Sequence, residues 1–268
     1  MSSEKTPPEN SDEIHVCVLA SGSRGNAIYI SDGEDGVLVD AGLSGKKIEH
    51  RMQSRDLRMD HLRAIIVSHE HSDHIQGVGV LSRRYKLPVY ISAATYARSQ
   101  KFLGRLEQVH HFECGKAFVI NGMTIHPFST SHDAEDPAGF TIRQNGIKIG
   151  IATDLGIATT MVKEHLKGVS LLVIEANHDP KMLVEGPYPW PLKQRIKGRS
   201  GHLSNENTMS LIREIQDEQL QHVILAHLSE QNNRPEIALE MVKPIIDAGR
   251  TTIHIAAQDA CTKVVRLV

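Results

Sequence analysis

The sequence predicts an α/β fold in which two sheets lie between outer helices, within one domain. Short β-rich runs open each half of the chain and then give way to alternating strands and helices, a pattern that lays helices on the outer faces of sheets. The 268 residues, 40% of them hydrophobic, are enough to bury a sizeable core. No linker, repeat or low-complexity block interrupts the chain after residue 13.

Residues 1–13 are rich in Ser, Glu, Pro, Asn and Asp and can bury nothing, so they are expected to form a disordered tail ahead of a domain spanning 14–268. The runs 14–20, 26–31 and 36–40 are β-rich and separated by Gly and Asp turns, which predicts a meander. A helix over 44–54 follows, then the apolar, partly β-branched run 63–69, read as a buried strand. A helix over 74–86, a strand over 88–91 and a helix near 93–101 complete the first half. Strands over 124–130, 139–144 and 148–154 open the second, followed by a helix over 158–167 and a buried strand over 171–177. Residues 179–203 have little periodicity and read as a long functional loop. A helix over 205–216 and a strand over 222–227 come next. Ile237, Met241 and Ile245 recur at helical spacing, so 236–248 is expected to be a helix, with Asn233 and Glu236 as a capping box and Pro235 in its first turn. Strands over 252–256 and 263–267 close the chain.

Composition excludes several classes. Thirty basic residues against 32 acidic leave a net charge of −2, which argues against a globally basic nucleic-acid coat but allows a local basic groove. Cys17, Cys114 and Cys261 are few, odd in number and far apart, which fits a reducing cytoplasm and not a disulfide scaffold. No apolar run approaches the roughly 20 residues of a membrane span, so no membrane partner is expected. The polar start of the chain has no apolar segment of the kind a secretory signal carries. The outlying count is 16 His, spread along the chain and partly clustered.

The strongest cluster is His69-Glu70-His71-Ser72-Asp73-His74, directly after the buried strand 63–69 and before a helix. At a strand-to-helix turn, His69 and His71 project one way while Asp73 and His74 project from the turn, a geometry that serves two adjacent metals. Imidazole and carboxylate without thiolate suit Zn²⁺, Mn²⁺ or Fe in a catalytic site. A polar His-rich loop without metal is the plainer reading, but this spacing at a strand end is far more specific than a lone His pair. Three further candidates stand at strand ends: His132, Asp154 and His227. Each alone would more often be a cap or a solvated loop residue. Together with the cluster they supply three His for one metal, Asp and two His for the other, and a carboxylate able to bridge.

This series resembles the metallo-β-lactamase fold. Its surroundings, including 21–26, 131–133, 152–156, 175–179, 186–190, 201–204 and 226–229, resemble the YycJ/WalJ family, a branch assigned to 5′-to-3′ DNA exonuclease activity and related to tRNA-processing and phosphonate-pathway phosphodiesterases. The resemblance runs from about Ile14 to the C-terminus. It implies an αββα four-layer sandwich with a dinuclear site at one sheet edge. It also implies that His69, His71 and His132 hold one divalent ion, that Asp73, His74 and His227 hold the other, and that Asp154 bridges. Asp73 counts among the catalytic residues as well as the ligands.

The related tRNA-processing enzymes are similar in pairing an acidic residue after a buried strand with a His in a Gly-His-Ser/Thr context. Glu175 and His202 match that pair by position. A His of this kind can protonate a departing alkoxide, and a carboxylate fixes its tautomer and raises its pKa. His178 is read as a phosphate contact or an extra ligand. The stretch 181–201 holds Lys193, Arg195, Lys197 and Arg199 at alternate positions beyond Trp190. If extended, these cations would face one side and grip phosphates while the indole stacks on a base; otherwise the stretch is a solvated loop with one packed Trp. Ser23 and Asn26, in a Gly-rich turn, are candidate phosphate contacts through the same resemblance.

The expected activity is therefore that of a cytoplasmic, two-metal phosphodiesterase acting on nucleic acid, a 5′-to-3′ DNA exonuclease in particular. A hydroxide shared by the metals would be its nucleophile. A small-molecule cyclic phosphodiesterase and a glyoxalase II-type thioesterase use comparable ligands, and a non-catalytic nucleic-acid-binding module is the remaining alternative. The thioesterase would not need Glu175 and His202. The binding module would be favoured by a missing ligand, and none is missing.

Overall fold

A computed structural model describes residues 13–268; the tail expected over 1–13 lies outside them except for Glu13. The first sheet contains β1 (Ile14–Ala20), β2 (Ala27–Ser31), β3 (Gly36–Val39), β4 (Leu62–Ile66), β5 (Pro88–Ser92) and β6 (Gln108–Phe112), with the C-terminal β14 (Val265–Leu267) beside β1. The second runs in order from β7 (Phe118–Ile120) through β8 (Met123–Ser129), β9 (Ala138–Gln144), β10 (Ile147–Ala152), β11 (Leu171–Glu175) and β12 (His222–Ala226) to β13 (Thr252–Ile255). In both, antiparallel hairpins lead into parallel strands: β3 to β6 in one, β10 to β13 in the other. Parallel neighbours need crossovers, and helices supply most of them.

Strand periodicity sorts the layers. Val37 and Val39 pack into the core between the sheets, against Ile149, Ile151 and Val173, while Leu38 between them faces the other way. Leu38, Ile65 and Val67 pack on Ile48 and Met52 of α1 (Gly45–Gln53), Leu81 of α3 (Val78–Tyr85) and Leu103 of α4 (Ala93–Leu103). Leu172, Ile174 and Val223 pack on Val162 of α5 (Thr160–Leu166), Leu211 of α8 (Asn205–Ile215) and Val242 of α9 (Pro235–Val242). The result is the expected sequence of helix, sheet, sheet, helix. Among the described residues, no helix is long and apolar enough to cross a membrane.

Four local expectations need correction. The helix expected over 74–86 is split into α2 (Ser72–Ile75) and α3. At the break, a Cβ on Gly77 would lie 2.3 Å from the Leu43 carbonyl, so the backbones approach where only Gly fits. Strands β6 and β7 had no counterpart; both are sheet edges, where β6 is largely polar and β7 is only three residues long, too short to show the alternation that marks a strand. Asn233 does not cap α9, whose cap is Arg234 without a side-chain bond. Its amide instead donates to the Ala176 carbonyl (2.8 Å) and to Asn205 Oδ1 (2.9 Å). Finally, 179–203 contains α6 (Pro180–Glu185) and α7 (Trp190–Lys197). On a helix, alternate residues point to opposite sides, so the cations at 193, 195 and 197 cannot form one extended strip.

Candidate metal centre

The parallel strands converge their C-terminal ends on one edge of the sandwich, the general location of sites in open α/β sheets. Beyond β4 the chain runs through Ser68 to His71 and into α2, delivering the six-residue cluster. Asp154 follows β10 and His227 follows β12, both with a left-handed φ of 55°. That conformation is uncommon outside Gly, and Asp and His are among the residues that tolerate it. Glu175 ends β11.

Two donor groups form. His71 Nδ1 lies 3.0 Å from His69 Nε2 and 3.3 Å from His132 Nε2. A tetrahedral ion with bonds of about 2.0–2.1 Å to nitrogen needs donor–donor edges of about 3.3 Å, so three imidazoles present a ready tripod. Beside it, Asp73 Oδ2 lies 3.6 Å from His74 Nε2 and 3.8 Å from His227 Nε2. Asp154 stands between the groups: one oxygen is 3.3 Å from His74 Nε2, the other 3.7 Å from His132 Nε2 and 3.6 Å from His227 Nε2. Asp154 Oδ2 and His227 Nε2 are buried without a hydrogen-bond partner. Buried polar atoms are seldom left so, and a cation between them would satisfy both. The residues thus fit divalent metal.

Outer contacts aim these donors. Asp40 accepts from His74 Nδ1 (2.7 Å), the Ser68 hydroxyl (2.8 Å) and the Ser68 N–H (2.8 Å). His132 Nδ1 donates to the Gly201 carbonyl (3.1 Å). In each case the partner fixes the tautomer and leaves Nε2 facing the centre. Sequence reasoning missed Asp40 and Ser68; the signal available was an acid ending the apolar run 36–40.

Asn26 is buried, with its Oδ1 accepting from the Gly22 N–H (2.9 Å) and its Nδ2 3.3 Å from Asp73 Oδ2. It braces the Gly-rich turn against a ligand. Ser23 is exposed at the mouth of a cavity of about 170 Å³ that also touches Asn177, Tyr188, Ile196, His202 and Ser229.

Glu175 is fully buried and accepts four hydrogen bonds. One oxygen takes His202 Nδ1 (2.7 Å) and His227 Nδ1 (2.9 Å); the other takes the Leu155 and Leu203 N–H groups (3.0 Å each). Burial opposes its charge, but the two imidazoles hold its pKa down at about 2. The same carboxylate outweighs burial at His202 and raises its pKa. Burial beside other imidazoles pushes His69 well below its ordinary value, toward the neutral form that binds metal. His74 and His227 are buried yet raised, chiefly by Asp154.

The family described as the Beta-lactamase superfamily domain matches residues 36–228. The chain is 38% identical over 236 residues to exodeoxyribonuclease YycJ of Bacillus anthracis, covering 87% of this chain and 89% of the relative. The chain belongs to the YycJ/WalJ family of this superfamily. Another YycJ/WalJ relative, exodeoxyribonuclease WalJ of Streptococcus pneumoniae, is also 38% identical, over 86% of this chain and 88% of its own. The fold is that of the metallo-β-lactamase fold protein YhfI from Bacillus subtilis, with TM-score 0.73, 18% identity and coverage of 94% and 99%.

The remaining expected contacts of this YycJ/WalJ chain separate. His178 is buried, its Nδ1 has no partner, and burial lowers its pKa to about 4. Trp190 is 62% exposed at the start of α7. Lys193 is not available to a phosphate: it is buried and its Nζ donates to the Val184 carbonyl (2.7 Å). Arg195 is ion-paired with Asp133. Lys197 and Arg199 are exposed and have no carboxylate partner among the described residues.

Proposed function

We propose that this protein is a metal-dependent exodeoxyribonuclease that cleaves DNA from the 5′ end, with two ions held as above and Asp73 among the catalytic residues. The observation that carries the reading is the Glu175–His202 pair, joined at 2.7 Å beside the two donor groups. A hydrolase needs the donor groups, and a phosphodiesterase also needs a proton for a poor leaving group. The names of the YycJ and WalJ relatives supply the substrate class. Three free cysteines and no membrane-crossing helix among the described residues are compatible with a cytoplasmic setting.

Divalent ions such as Zn²⁺ or Mn²⁺, bound there, would activate water at neutral pH and offset phosphate charge. His202 donates its proton to the leaving oxygen, and Glu175 holds its Nδ1 so that the opposite nitrogen faces the substrate. Glu175 also steadies His227, so ligand and acid share one anchor.

The test is purified protein with Mn²⁺ or Zn²⁺ on 5′- and 3′-labelled DNA and RNA, alongside a thioester. Release of mononucleotides from the 5′ end of DNA is expected. Thioester hydrolysis alone would overturn the reading. Asp154→Ala should lose both metals and activity. His202→Ala should keep both metals by elemental analysis and slow cleavage about 10²-fold or more, as for loss of a general acid. Metal loss in His202→Ala would make His202 a ligand instead.

A further inference from the structure

The cavity beside Ser23 is not the largest recess near the centre. Lined in part by loop 198–203 is a groove of about 370 Å³, within the range of about 300–1,000 Å³ typical of ligand pockets. Its apolar lining is offered by the half-buried Ile157 and Ala158, with Leu203 and Leu211 buried beneath. Lys197 and Arg199 stand along one rim and Asn207 and Ser210 of α8 along the other. A third cation, Lys163, is paired with Glu214 at 2.6 Å, so the groove's only carboxylate is already neutralised. Lys197 and Arg199 therefore remain without an anion among the described residues, beside an apolar surface at Ile157 and Ala158.

The groove is tied to the metal centre through loop 198–203. The Arg199 carbonyl accepts from the Ser131 hydroxyl (2.7 Å), the Gly201 carbonyl accepts from the ligand His132 (3.1 Å), and His202 follows directly. The approach is close: a Cβ on Gly156, two residues after Asp154, would lie 2.3 Å from the Arg199 carbonyl. The segment from the end of α7 to His202 thus carries both the proton donor and the two cations that line the groove.

We propose that this groove is a second nucleotide subsite, holding a residue of the DNA strand away from the scissile bond. Its phosphate sits on Lys197 and Arg199, and its base or sugar against Ile157 and Ala158. The proposal rests on the nuclease reading above and extends it from the bond cleaved to the strand gripped. Charge complementarity selects the occupant, because a polyanion with apolar faces meets both features of the groove.

Two variants test it by independent routes: Lys197→Gln with Arg199→Gln removes the charge, and Ser210→Phe fills the space. Each is assayed on a single-stranded oligodeoxynucleotide and on bis(p-nitrophenyl) phosphate, a diester too small to reach from the centre into the groove. KM for the oligonucleotide should rise about tenfold in both. The charge variant should also flatten its log–log salt dependence by about 0.7 for each phosphate that is no longer neutralised. Hydrolysis of the small diester should be unchanged. An oligonucleotide KM and salt slope equal to wild type would overturn the proposal while leaving the nuclease reading intact. Equal losses on both substrates would also overturn it, by making the loop structural. A wild-type protein inert on DNA but active on the small diester would remove the nuclease reading, and the subsite with it.

Discussion

Replacing Glu175 with Gln is the most informative single change, because one buried carboxylate holds four donors. Gln keeps the shape but offers one acceptor oxygen and one NH₂. With its oxygen toward His202 and His227, its NH₂ faces the Leu155 and Leu203 N–H groups; turned over, it faces the two imidazoles. In the first orientation two backbone donors meet a donor; in the second the imidazoles must move their protons off Nδ1 to accept from the NH₂. Hydrogen bonds to charged groups contribute about 1.5–3 kcal/mol each and neutral ones about 0.5–1.5 kcal/mol, so exchanging two should cost about 2–4 kcal/mol in the metal-free protein. Chemical denaturation with EDTA present measures this. Removing the carboxylate also removes what raises His202, so the fraction of protonated acid at neutral pH should fall. The limb of the pH–rate profile on which activity declines with rising pH should therefore move to lower pH. Metal affinity should drop about 10–100-fold, since the Nδ1 of His227 loses its ionised partner. A variant within about 1 kcal/mol of wild type, with full metal content and an unshifted pH profile, would refute the anchoring role of Glu175.

Gly42→Ala would place a Cβ 1.6 Å from the Asp73 carbonyl and 2.6 Å from the Asn26 nitrogen, displacing a candidate ligand and its brace. We expect a loss of about 3 kcal/mol together with reduced metal content, read by thermal unfolding and elemental analysis. Burial lowers the His178 pKa from 6.5 to about 4, so as pH falls the unfolded chain takes up a proton that the folded protein excludes. Between pH 7 and pH 5 this should cost metal-free wild type about 2 kcal/mol more than His178→Gln, and parallel stability curves would refute it. Lys193→Gln should lower stability by about 1 kcal/mol through the lost bond to Val184 yet leave the salt dependence of DNA binding unchanged. A flatter salt slope in that variant would show that Lys193 reaches a phosphate.

The seven candidate ligands were legible because their signal is local. Four lie within six residues, and the other three stand at the ends of apolar strand runs that the pattern alone delimits. The layer order was legible for a similar reason: period-two alternation assigns each strand two faces, and paired strands with covering helices leave few arrangements. Helix α7 was legible in principle, since Pro191 sits at its start and Gly198 at its end, but eight residues give too little periodicity to outweigh their polarity. Other features depended on which elements meet. Asp40 and Ser68 support His74 only because β3 lies beside β4, and Asn26 reaches Asp73 only because the first turn folds over α2. The alternating cations looked equivalent along the chain. Folding divided them: Lys193 went inward to a carbonyl, Arg195, about 200° further round α7, went toward Asp133, and Lys197 at the helix end and Arg199 beyond it went into open solvent beside α8. Ligand identity is written in short runs of sequence, whereas the partner of each charge is chosen by contacts between segments far apart in the chain, and those exist only in the folded molecule.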